Sequence, residues 1–340
     1  MKKKTNKPYI VAEIGVNHNG SFELAKKTIR AAAKSGADAV KFQMFHAEEF
    51  MSNSNDIYKY KTHKGTKSED MFKMFKRLEF PYDWHDKLFK FSKSHKIDFF
   101  STAGSEITAD FLIKKKVKFI KISSPDLTNY PLLKHIAKYK KKTIVSTGMG
   151  SIDEIDKAVE IFKKYNAPII LLHCVSMYPA PFKDSNLLRI LELKKRYREI
   201  EIGYSDHTLG SEASIVAASL GATLIEKHFT LSKKLIGPDH LISCNPIELK
   251  NLVSKVKEVD LLLGNKSINP SLNEKRNRLL FRRSITVKKS IKKNEKFSKH
   301  NLCLRRPEKG MHPKFLQELI GKKSKKNLKK DHKVKLSDIK

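Results

Sequence analysis

The chain has 340 residues, enough for one large domain and a small one. Its hydrophobic fraction of 39% and aromatic fraction of 9% are typical of a folded globular protein, and no run approaches the roughly 20 apolar residues of a transmembrane helix. The net charge is +34, but 59 lysines and only 11 arginines are spread along the chain, which favours a solvated surface over a nucleic-acid or membrane partner.

The first residues, MKKKTNK, are basic and lead into a short strand-like run that contains a glutamate. This segment lacks the apolar core and the small-residue cleavage site of a signal peptide. The three cysteines, Cys174, Cys244 and Cys303, are widely spaced and odd in number, which does not suit a disulfide framework. We therefore expect a cytoplasmic protein.

Short apolar runs alternate with longer amphipathic stretches over residues 1–263. This pattern predicts βα units around a parallel sheet, with helices such as 22–36 and 152–166 between the strands. The predicted strands are 9–15, 37–43, 98–102, 118–123, 143–148, 168–174, 201–206 and 223–229. Eight repeats predict a (β/α)8 TIM barrel. The alternative, a doubly wound open sheet, lacks a glycine-rich dinucleotide motif after the first strand.

The barrel pattern ends with a helix near residue 263. Residues 264–281 are polar, contain Gly264 and Pro270, and are predicted to be a linker. Residues 282–340 have short strand-like runs and turns without a long helix. We expect a barrel domain at 1–263 and a small domain at 282–340.

Polar residues stand at the end of every predicted strand. In a barrel the carboxyl ends of the strands meet on one face, where active sites of this fold lie. Each residue could be structural by itself, but eight polar strand ends at one mouth predict a site. The residues are Glu13, Lys41, Gln43, Thr102, Lys121, Ser124, Asp126, Ser146, His173, Ser176, Tyr178, Ser205, His207, Glu226 and His228.

Lys41 and Lys121 lie inside apolar strands, where an unpaired ammonium group is costly. They could pair with neighbouring carboxylates, bind a phosphate and a carboxylate together with nearby hydroxyl groups, or form a Schiff base.

His207 and His228 are one βα repeat apart, so their side chains can meet at the mouth. Imidazoles in this arrangement favour a divalent metal such as Mn²⁺, Fe²⁺ or Zn²⁺. The alternative is a pair of hydrogen-bonded structural histidines.

The motifs at these strand ends resemble the N-acetylneuraminate synthase family, which includes the legionaminic and pseudaminic acid synthases. They are AEIGVNHNG (12–20), VKFQ (40–43), KISSPDLTNYPLL (121–133), STGM (146–149), GYSDHT (203–208), EKHFT (226–230) and GPDH (237–240). The C-terminal part, with NLCLRRPEKGMHP (301–313) and LIGK (319–322), resembles the SAF (antifreeze-like, β-clip) domain of these enzymes. The resemblance covers nearly the whole chain in order.

The resemblance implies a condensation of phosphoenolpyruvate with an open-chain N-acyl amino sugar. Mn²⁺ or Mg²⁺, held by His207 and His228, would polarise the sugar aldehyde. Carbon C3 of phosphoenolpyruvate would attack the aldehyde, water would add at C2, and phosphate would leave by C–O cleavage. The product would be a nine-carbon 2-keto acid.

The resemblance also assigns roles to residues. Glu13 and Asp126 would move protons, and Tyr178 and Asp239 would contact the sugar. Phosphoenolpyruvate would bind to Lys41, Gln43, Thr102, Lys121, Ser124, Ser146, Ser176 and Ser205.

Arg306 would reach the sugar's acyl group in the partner subunit's site, which implies a domain-swapped homodimer.

Three positions depart from the family pattern. Asp126 stands where many relatives have the longer glutamate, so the group that it serves must lie closer. Ser176 stands where relatives often have asparagine. The run STAGSEIT (101–108) replaces a common STPF turn, which puts the position of Thr102 in question.

The alternatives are a pseudaminic acid synthase, a barrel that makes 3-deoxy-octulosonate or 3-deoxy-heptulosonate phosphates, and a non-catalytic basic protein that binds polysaccharide or nucleic acid. The SAF-like tail and the GYSDHT and EKHFT motifs oppose the second, and only the net charge supports the third. For the sugar, GPDH and EKHFT favour the neuraminate or legionaminate branch, while FPYDWH (80–85) and HPKFLQELIGKK (312–323) resemble the pseudaminate branch.

Overall fold

The computed structural model describes residues 7–52 and 56–340, which form two compact units, Met1–Gly264 and Asn265–Lys340. The basic start at residues 1–6, judged above to be unlike a signal peptide, lies outside the described residues. Within the described part, no helix has both the length and the apolar character needed to cross a membrane.

The first unit is a closed barrel of eight parallel strands, in the order β1-β10-β9-β8-β7-β6-β5-β2, and it confirms the predicted (β/α)8 fold. The strands are β1 Tyr9–Gly15, β2 Ala39–Met44, β5 Asp98–Ala103, β6 Ile120–Ile122, β7 Thr143–Ser146, β8 Ile169–Cys174, β9 Glu201–Asp206 and β10 Leu224–His228. Each overlaps a strand that the sequence predicts. An antiparallel hairpin, β3 Ile57–Thr62 and β4 Gly65–Asp70, follows the second barrel strand and was not predicted.

Helices cover the outside of the barrel. They are α1 Phe22–Lys34, α2 Ala47–Phe50, α3 Met71–Arg77, α4 Tyr82–Ser94, α5 Glu106–Lys114, α6 Tyr130–Lys138, α7 Ile152–Lys164, α8 Arg189–Arg196, α9 Glu212–Ser219 and α10 Pro246–Leu263. Capping side chains fix several of their starts; at α7 the hydroxyl of Ser151 accepts from the backbone N–H of Glu154 in a capping box. Such a cap contributes about 1 kcal/mol.

The barrel interior has two layers because successive side chains of a strand alternate between its faces. The lower layer is apolar and comprises Val11, Ala39, Phe100, Phe119, Ile144, Ile170, Leu172 and Leu224. Two residues further along the same strands, the interior positions become polar, as in Val11 to Glu13 and Phe119 to Lys121. The alternation therefore places the predicted strand-end residues on the interior face, above a packed apolar floor.

The second unit has its own apolar core, which includes Ile285, Val287 and Phe297. It contains α11 Leu272–Phe281, the antiparallel pair β11 Ser284–Val287 and β12 Leu302–Arg305, and α12 Leu316–Leu319. Helix α11 lies within the segment predicted as a linker, and it begins at a capping box formed by Ser271 and Glu274. Arg306 follows β12 directly, with its guanidinium over the ring of Phe281 at 5.8 Å.

Candidate active site at the barrel mouth

Two lysines and two glutamates form a buried charge cluster in the polar layer. Nζ of Lys41 lies 2.8 Å from Oε2 of Glu13 and 3.8 Å from Oε2 of Glu226. Nζ of Lys121 lies 2.9 Å from Oε1 of Glu226. The cluster is balanced in charge, which makes the burial of four ionisable groups tolerable.

The four groups influence each other's ionisation. Burial raises the pKa of Glu13, although Lys41 opposes this. Burial also opposes ionisation of Glu226, but Lys121 and Lys41 outweigh it and lower the pKa of that carboxyl group. Burial lowers the pKa of Lys121 in spite of Glu226. Glu13 is therefore the carboxylate of the cluster that most readily accepts a proton.

Neighbouring polar groups complete this cluster. Lys41 donates to Oγ1 of Thr102 at 3.1 Å, and Gln43 donates to Oε1 of Glu13 at 3.0 Å. Ser205 donates to Oε1 of Glu226 at 3.0 Å. The turn after Thr102 departs from the family pattern, but the Thr102 side chain still lies at the site, in contact with Lys41.

A group of small hydroxyl and thiol side chains lies on the neighbouring strands. Oγ of Ser124 accepts the backbone N–H of Gly148 at 3.1 Å and lies 3.6 Å from Sγ of Cys174. Oγ of Ser176 lies 4.0 Å from the same sulfur. A Cβ on Gly148 would collide with both serine hydroxyls, so only glycine leaves this space open. Ser146 is also buried here, and its hydroxyl has no hydrogen-bond partner among the described residues.

His207 and His228 meet at the mouth, with ring centroids 5.4 Å apart. Nδ1 of His207 lies 2.7 Å from the carbonyl oxygen of Val175, which can only accept, so Nδ1 carries the hydrogen and Nε2 keeps its lone pair. The ring of Tyr178 stands 4.3 Å from that of His207 and 5.7 Å from that of His228.

Burial lowers the pKa of His228 well below the ordinary value, and the positive charge of Lys41 acts in the same direction. Its Nδ1 is buried without a hydrogen-bond partner in the described chain and lies 3.5 Å from Oδ2 of Asp239. Burial raises the pKa of Asp239 to about 6.

These two histidines fit a divalent cation. A metal ligand must be a neutral imidazole with a free lone pair. Burial favours the neutral form of His228, and the Val175 contact leaves Nε2 as the nitrogen of the neutral His207 ring that can bind a metal. Burial lowers the pKa of His207, but the sulfur of Cys174 outweighs it and raises that pKa. Within residues 7–52 and 56–340, no set of three or more His, Cys, Asp or Glu side chains is arranged to hold a metal. The pair therefore suits an ion that takes its remaining ligands from water or substrate, as Mg²⁺ and Mn²⁺ do.

A cavity of about 440 Å³ opens above these groups. Its polar lining includes Gln43, Thr102, Asp126, Tyr178, His228 and Asp239. Its apolar lining includes Val16, Met44, Phe45, Phe50, Tyr58, Met74 and Phe75. We call the latter set the apolar wall; it includes residues of the hairpin strand β3 and of helices α2 and α3.

A larger cavity of about 890 Å³ is lined mainly by α7 and α8, with Arg189, Arg196 and Arg198 at its edge. The strand-end residue His173 lines it, but none of the residues to which the resemblance assigns a role does, so we place the active site at the mouth.

The structure brings the predicted site residues of the first unit to one face of the barrel. Asp126 lines the mouth cavity, accepts from Ser123 at 2.5 Å, and has a pKa raised by burial. Arg306 belongs to the second unit. Nε2 of His173 donates to the carbonyl oxygen of Ser185 at 2.7 Å, which fits a packed structural histidine.

Two residues of the site had no role assigned from sequence. Glu226 was named only as a strand-end residue, yet it contacts Lys41, Lys121 and Ser205. Cys174 was considered only for disulfide formation, yet its sulfur lies 3.7 Å from Nδ1 of His207. The alternation of interior positions along β8 and β10 is the sequence pattern that could have placed both.

The fold and the site define a (β/α)8-barrel protein with a charge-balanced buried cluster and a metal-compatible histidine pair at the barrel mouth, and with a small C-terminal unit. Residues 28–268 match the NeuB family, and residues 282–340 match the SAF domain. The chain belongs to the NeuB family.

Two similar proteins are named N,N'-diacetyllegionaminic acid synthase. The protein from Legionella pneumophila is 41% identical over 325 residues, which cover 94% of this chain and 91% of that protein. The protein from Campylobacter jejuni is 42% identical over 328 residues, which cover 96% of this chain and 98% of that protein. Among solved structures, N-acetylneuraminic acid (sialic acid) synthetase from Leptospira borgpetersenii, in complex with citrate, has a TM-score of 0.72 and 37% identity, covering 80% of this chain and 90% of that chain.

Proposed function

We propose that this protein condenses phosphoenolpyruvate with the open-chain form of an N-acyl amino sugar, which yields a nine-carbon 2-keto acid and phosphate. The observation that carries the proposal is the placement of a buried two-lysine cluster beside a pair of metal-compatible histidines at one mouth. Membership of the NeuB family and the printed names of the relatives support the same reaction.

The charge cluster and the hydroxyl groups suit phosphoenolpyruvate. Its carboxylate and phosphate need cations and donors, which Lys41 and Lys121 provide together with Gln43, Thr102, Ser124, Ser146, Ser176 and Ser205. Because both lysines are already paired with carboxylates, entry of this anion adds uncompensated negative charge. Glu13, whose pKa is raised by burial, is then the group that takes up a proton.

The histidine pair suits the aldehyde end of the sugar. A divalent cation, Mn²⁺ or Mg²⁺, bound by His207 and His228 would polarise the aldehyde oxygen. The ring of Tyr178 contacts both imidazole rings. Asp239 lies beside His228, where its carboxylate can accept a hydrogen bond from a sugar hydroxyl.

The bond changes follow from this arrangement. A carbon–carbon bond forms between C3 of phosphoenolpyruvate and the aldehyde carbon, whose oxygen gains a proton. Water adds at C2 and loses a proton, which leaves a hydroxyl group there. This hydroxyl then loses its proton and becomes the keto group, while the bond from C2 to the phosphate oxygen breaks with its electron pair on phosphate, which takes up a proton. Glu13 and Asp126 are the carboxylates placed to give and receive these protons.

We propose a 2,4-diacetamido-6-deoxy hexose as the sugar. The apolar wall lines the same mouth cavity as the polar groups, and it offers methyl and aromatic surface to a deoxy carbon and to acetyl methyl groups. The same wall has no cation to hold a sugar phosphate. N-Acetylmannosamine, which would give N-acetylneuraminate, is the second candidate, because the structural relative is a sialic acid synthetase.

A panel of sugars tests this assignment. Purified protein with phosphoenolpyruvate and Mn²⁺ is given N-acetylmannosamine, its 6-phosphate, and 2,4-diacetamido-6-deoxy hexoses of different configuration, and the keto acid is identified by mass spectrometry. We expect the highest kcat/KM with a diacetamido-6-deoxy sugar. A higher value with the 6-phosphate would refute the assignment, and the configuration that is used distinguishes the legionaminate from the pseudaminate branch.

We further propose a cytoplasmic, domain-swapped homodimer in which Arg306 serves the site of the partner subunit. The three unpaired cysteines fit a reducing compartment. The similarity to synthases over both units supports the dimer.

A further inference from the structure

A second buried ion pair lies behind the histidines, outside the substrate cavity. Nζ of Lys227 is 3.0 Å from Oδ2 of Asp206, and both side chains are buried. The two residues are direct register partners on β10 and β9. Since Glu226 contacts the interior lysines, the next side chain, that of Lys227, faces the outside of the barrel wall. The pair therefore does not contact the interior charge cluster.

We infer that the ion pair between Asp206 and Lys227 is a positioning device that sets the direction and separation of His207 and His228. Each member immediately precedes one histidine in the sequence. Joining the two members across the strands fixes the backbone from which both imidazoles project. The inference rests on the proposed function, because it concerns the metal-binding geometry of that site.

Hydrogen bonds tie the same pair to the turn that carries His207. Oδ1 of Asp206 accepts both the backbone N–H and the hydroxyl of Thr208, each at 2.8 Å. Nζ of Lys227 donates to the carbonyl oxygen of Thr208 at 2.5 Å. His207 is thus held between two residues that both belong to one buried network. A shift of the backbone at His207 would therefore break charge-assisted bonds that are buried.

The network is also anchored to the helical layer. Oγ of Ser214, on α9, donates to Oδ2 of Asp206 at 2.6 Å, and the hydroxyl of Tyr204 lies 3.4 Å from Oδ1. The backbone that carries the two histidines is therefore held by strands and a helix of the barrel wall, and not by the loops of the mouth. Removing a group that orients a metal-binding side chain typically lowers the affinity for the metal by roughly 10- to 100-fold.

The test compares Mn²⁺ affinity in full-length variants, measured from the paramagnetic resonance signal of free Mn²⁺. We expect Lys227→Met to bind Mn²⁺ at least about tenfold more weakly. Raising the Mn²⁺ concentration should restore most of the turnover, and Lys227→Arg should recover part of the affinity. Because a bound metal also stabilises the folded state, far-UV circular dichroism of the metal-free variant must first show that it is folded.

The matched control is Lys233→Met. This variant removes the ion pair between Lys233 and Glu248, in which Nζ lies 2.7 Å from Oε1. Both side chains are partly exposed, and neither residue is adjacent in sequence to His207 or His228. Its Mn²⁺ affinity should stay within about twofold of wild type. Two further variants keep the test decisive if Lys227→Met does not fold. The double variant Asp206→Asn/Lys227→Met removes both charges together, and Ser214→Ala loosens the network without removing a charge; both should weaken Mn²⁺ binding.

Folded variants with wild-type Mn²⁺ affinity would overturn this inference and leave the proposed function intact. A wild-type protein that binds neither Mn²⁺ nor Mg²⁺ would overturn both.

Discussion

At the scale of single residues, the site depends on how four buried charges share one space. Glu226 contacts both lysines of the cluster, whereas Glu13 contacts only Lys41. Glu226 therefore holds the ionised lysines in place, and Glu13 is left as the group whose proton occupancy can change when an anion binds.

Replacing Glu226 by glutamine should destabilise the protein strongly. The change leaves Lys121 without a counter-charge inside the barrel, and breaking a buried pair in this way costs about 3–5 kcal/mol. The free energy of unfolding from urea titration measures the loss. Glu201→Gln is the control, since it removes a surface pair with Lys142 at 2.5 Å that is worth about 0–1 kcal/mol. Equal losses in the two variants would contradict the account of the cluster.

Asp126→Asn should make stability less dependent on pH. Burial raises the pKa of Asp126, more than Ser123 and Asn129 lower it. The folded state then binds this proton more tightly than the unfolded state. The contribution of protonated Asp126 to stability is therefore fully present below its unfolded pKa of about 3.9, and it is lost as the pH rises through its folded pKa. In urea titrations the stability of the variant relative to wild type should therefore increase as the pH rises above about 4, and it should become constant above the folded pKa of Asp126. A constant difference over this range would exclude the raised pKa.

The residue types at the strand ends were predictable from the sequence, but their partners were not. Lys41 and Lys121 could be recognised as buried lysines that need counter-charges. That both share Glu226 depends on the tilt of strands that are not neighbours, and one sequence contains no information on this. The cluster of serine and cysteine side chains around Gly148 could not be predicted for the same reason, because its members come from three different strands.

At the scale of elements, the alternation along each strand determines what the interior contains. Barrel strands are apolar on both faces, which made all eight recognisable. The hairpin β3–β4 was missed because the segment IYKYKTHKGTKSED is mostly polar. Its tyrosines at alternate positions, 58 and 60, together with the turn before Gly65, were the available indication.

Shortening this hairpin should affect the sugar and not phosphoenolpyruvate. Tyr58 contributes to the apolar wall, while the charge cluster lies below it. Replacing residues 57–70 by a short glycine-serine linker should raise KM for the sugar at least about tenfold, since loss of even one small apolar contact can have this effect. KM for phosphoenolpyruvate should change less than about threefold. The opposite pattern would move the sugar away from the apolar wall.

At the scale of the whole molecule, the chain consists of two units with separate apolar cores. The change in sequence texture near residue 264 indicates two units. Helix α11 could have been recognised from Ser271 and Glu274, but a single turn of capping residues did not outweigh the polar composition around it.

Mixing two inactive variants tests the proposed domain swap. His207→Ala inactivates the barrel of its own chain, and Arg306→Ala removes the arginine that the SAF domain would supply to the partner's barrel. After subunit exchange, half of the dimers should be mixed, each with one complete site, so activity should recover to about a quarter of wild type. If native mass spectrometry shows mixed dimers but no activity returns, Arg306 does not serve the partner's site.

The central claim is that phosphate leaves phosphoenolpyruvate only during condensation with an N-acyl amino sugar. The most direct measurement is phosphate release by the full-length protein, with and without a divalent metal and with and without the sugar, and with His207→Ala as the inactive control. We expect release only when both metal and sugar are present, with one keto acid formed for each phosphate. Release that is independent of the sugar, or no release with any sugar of the panel, would contradict the account.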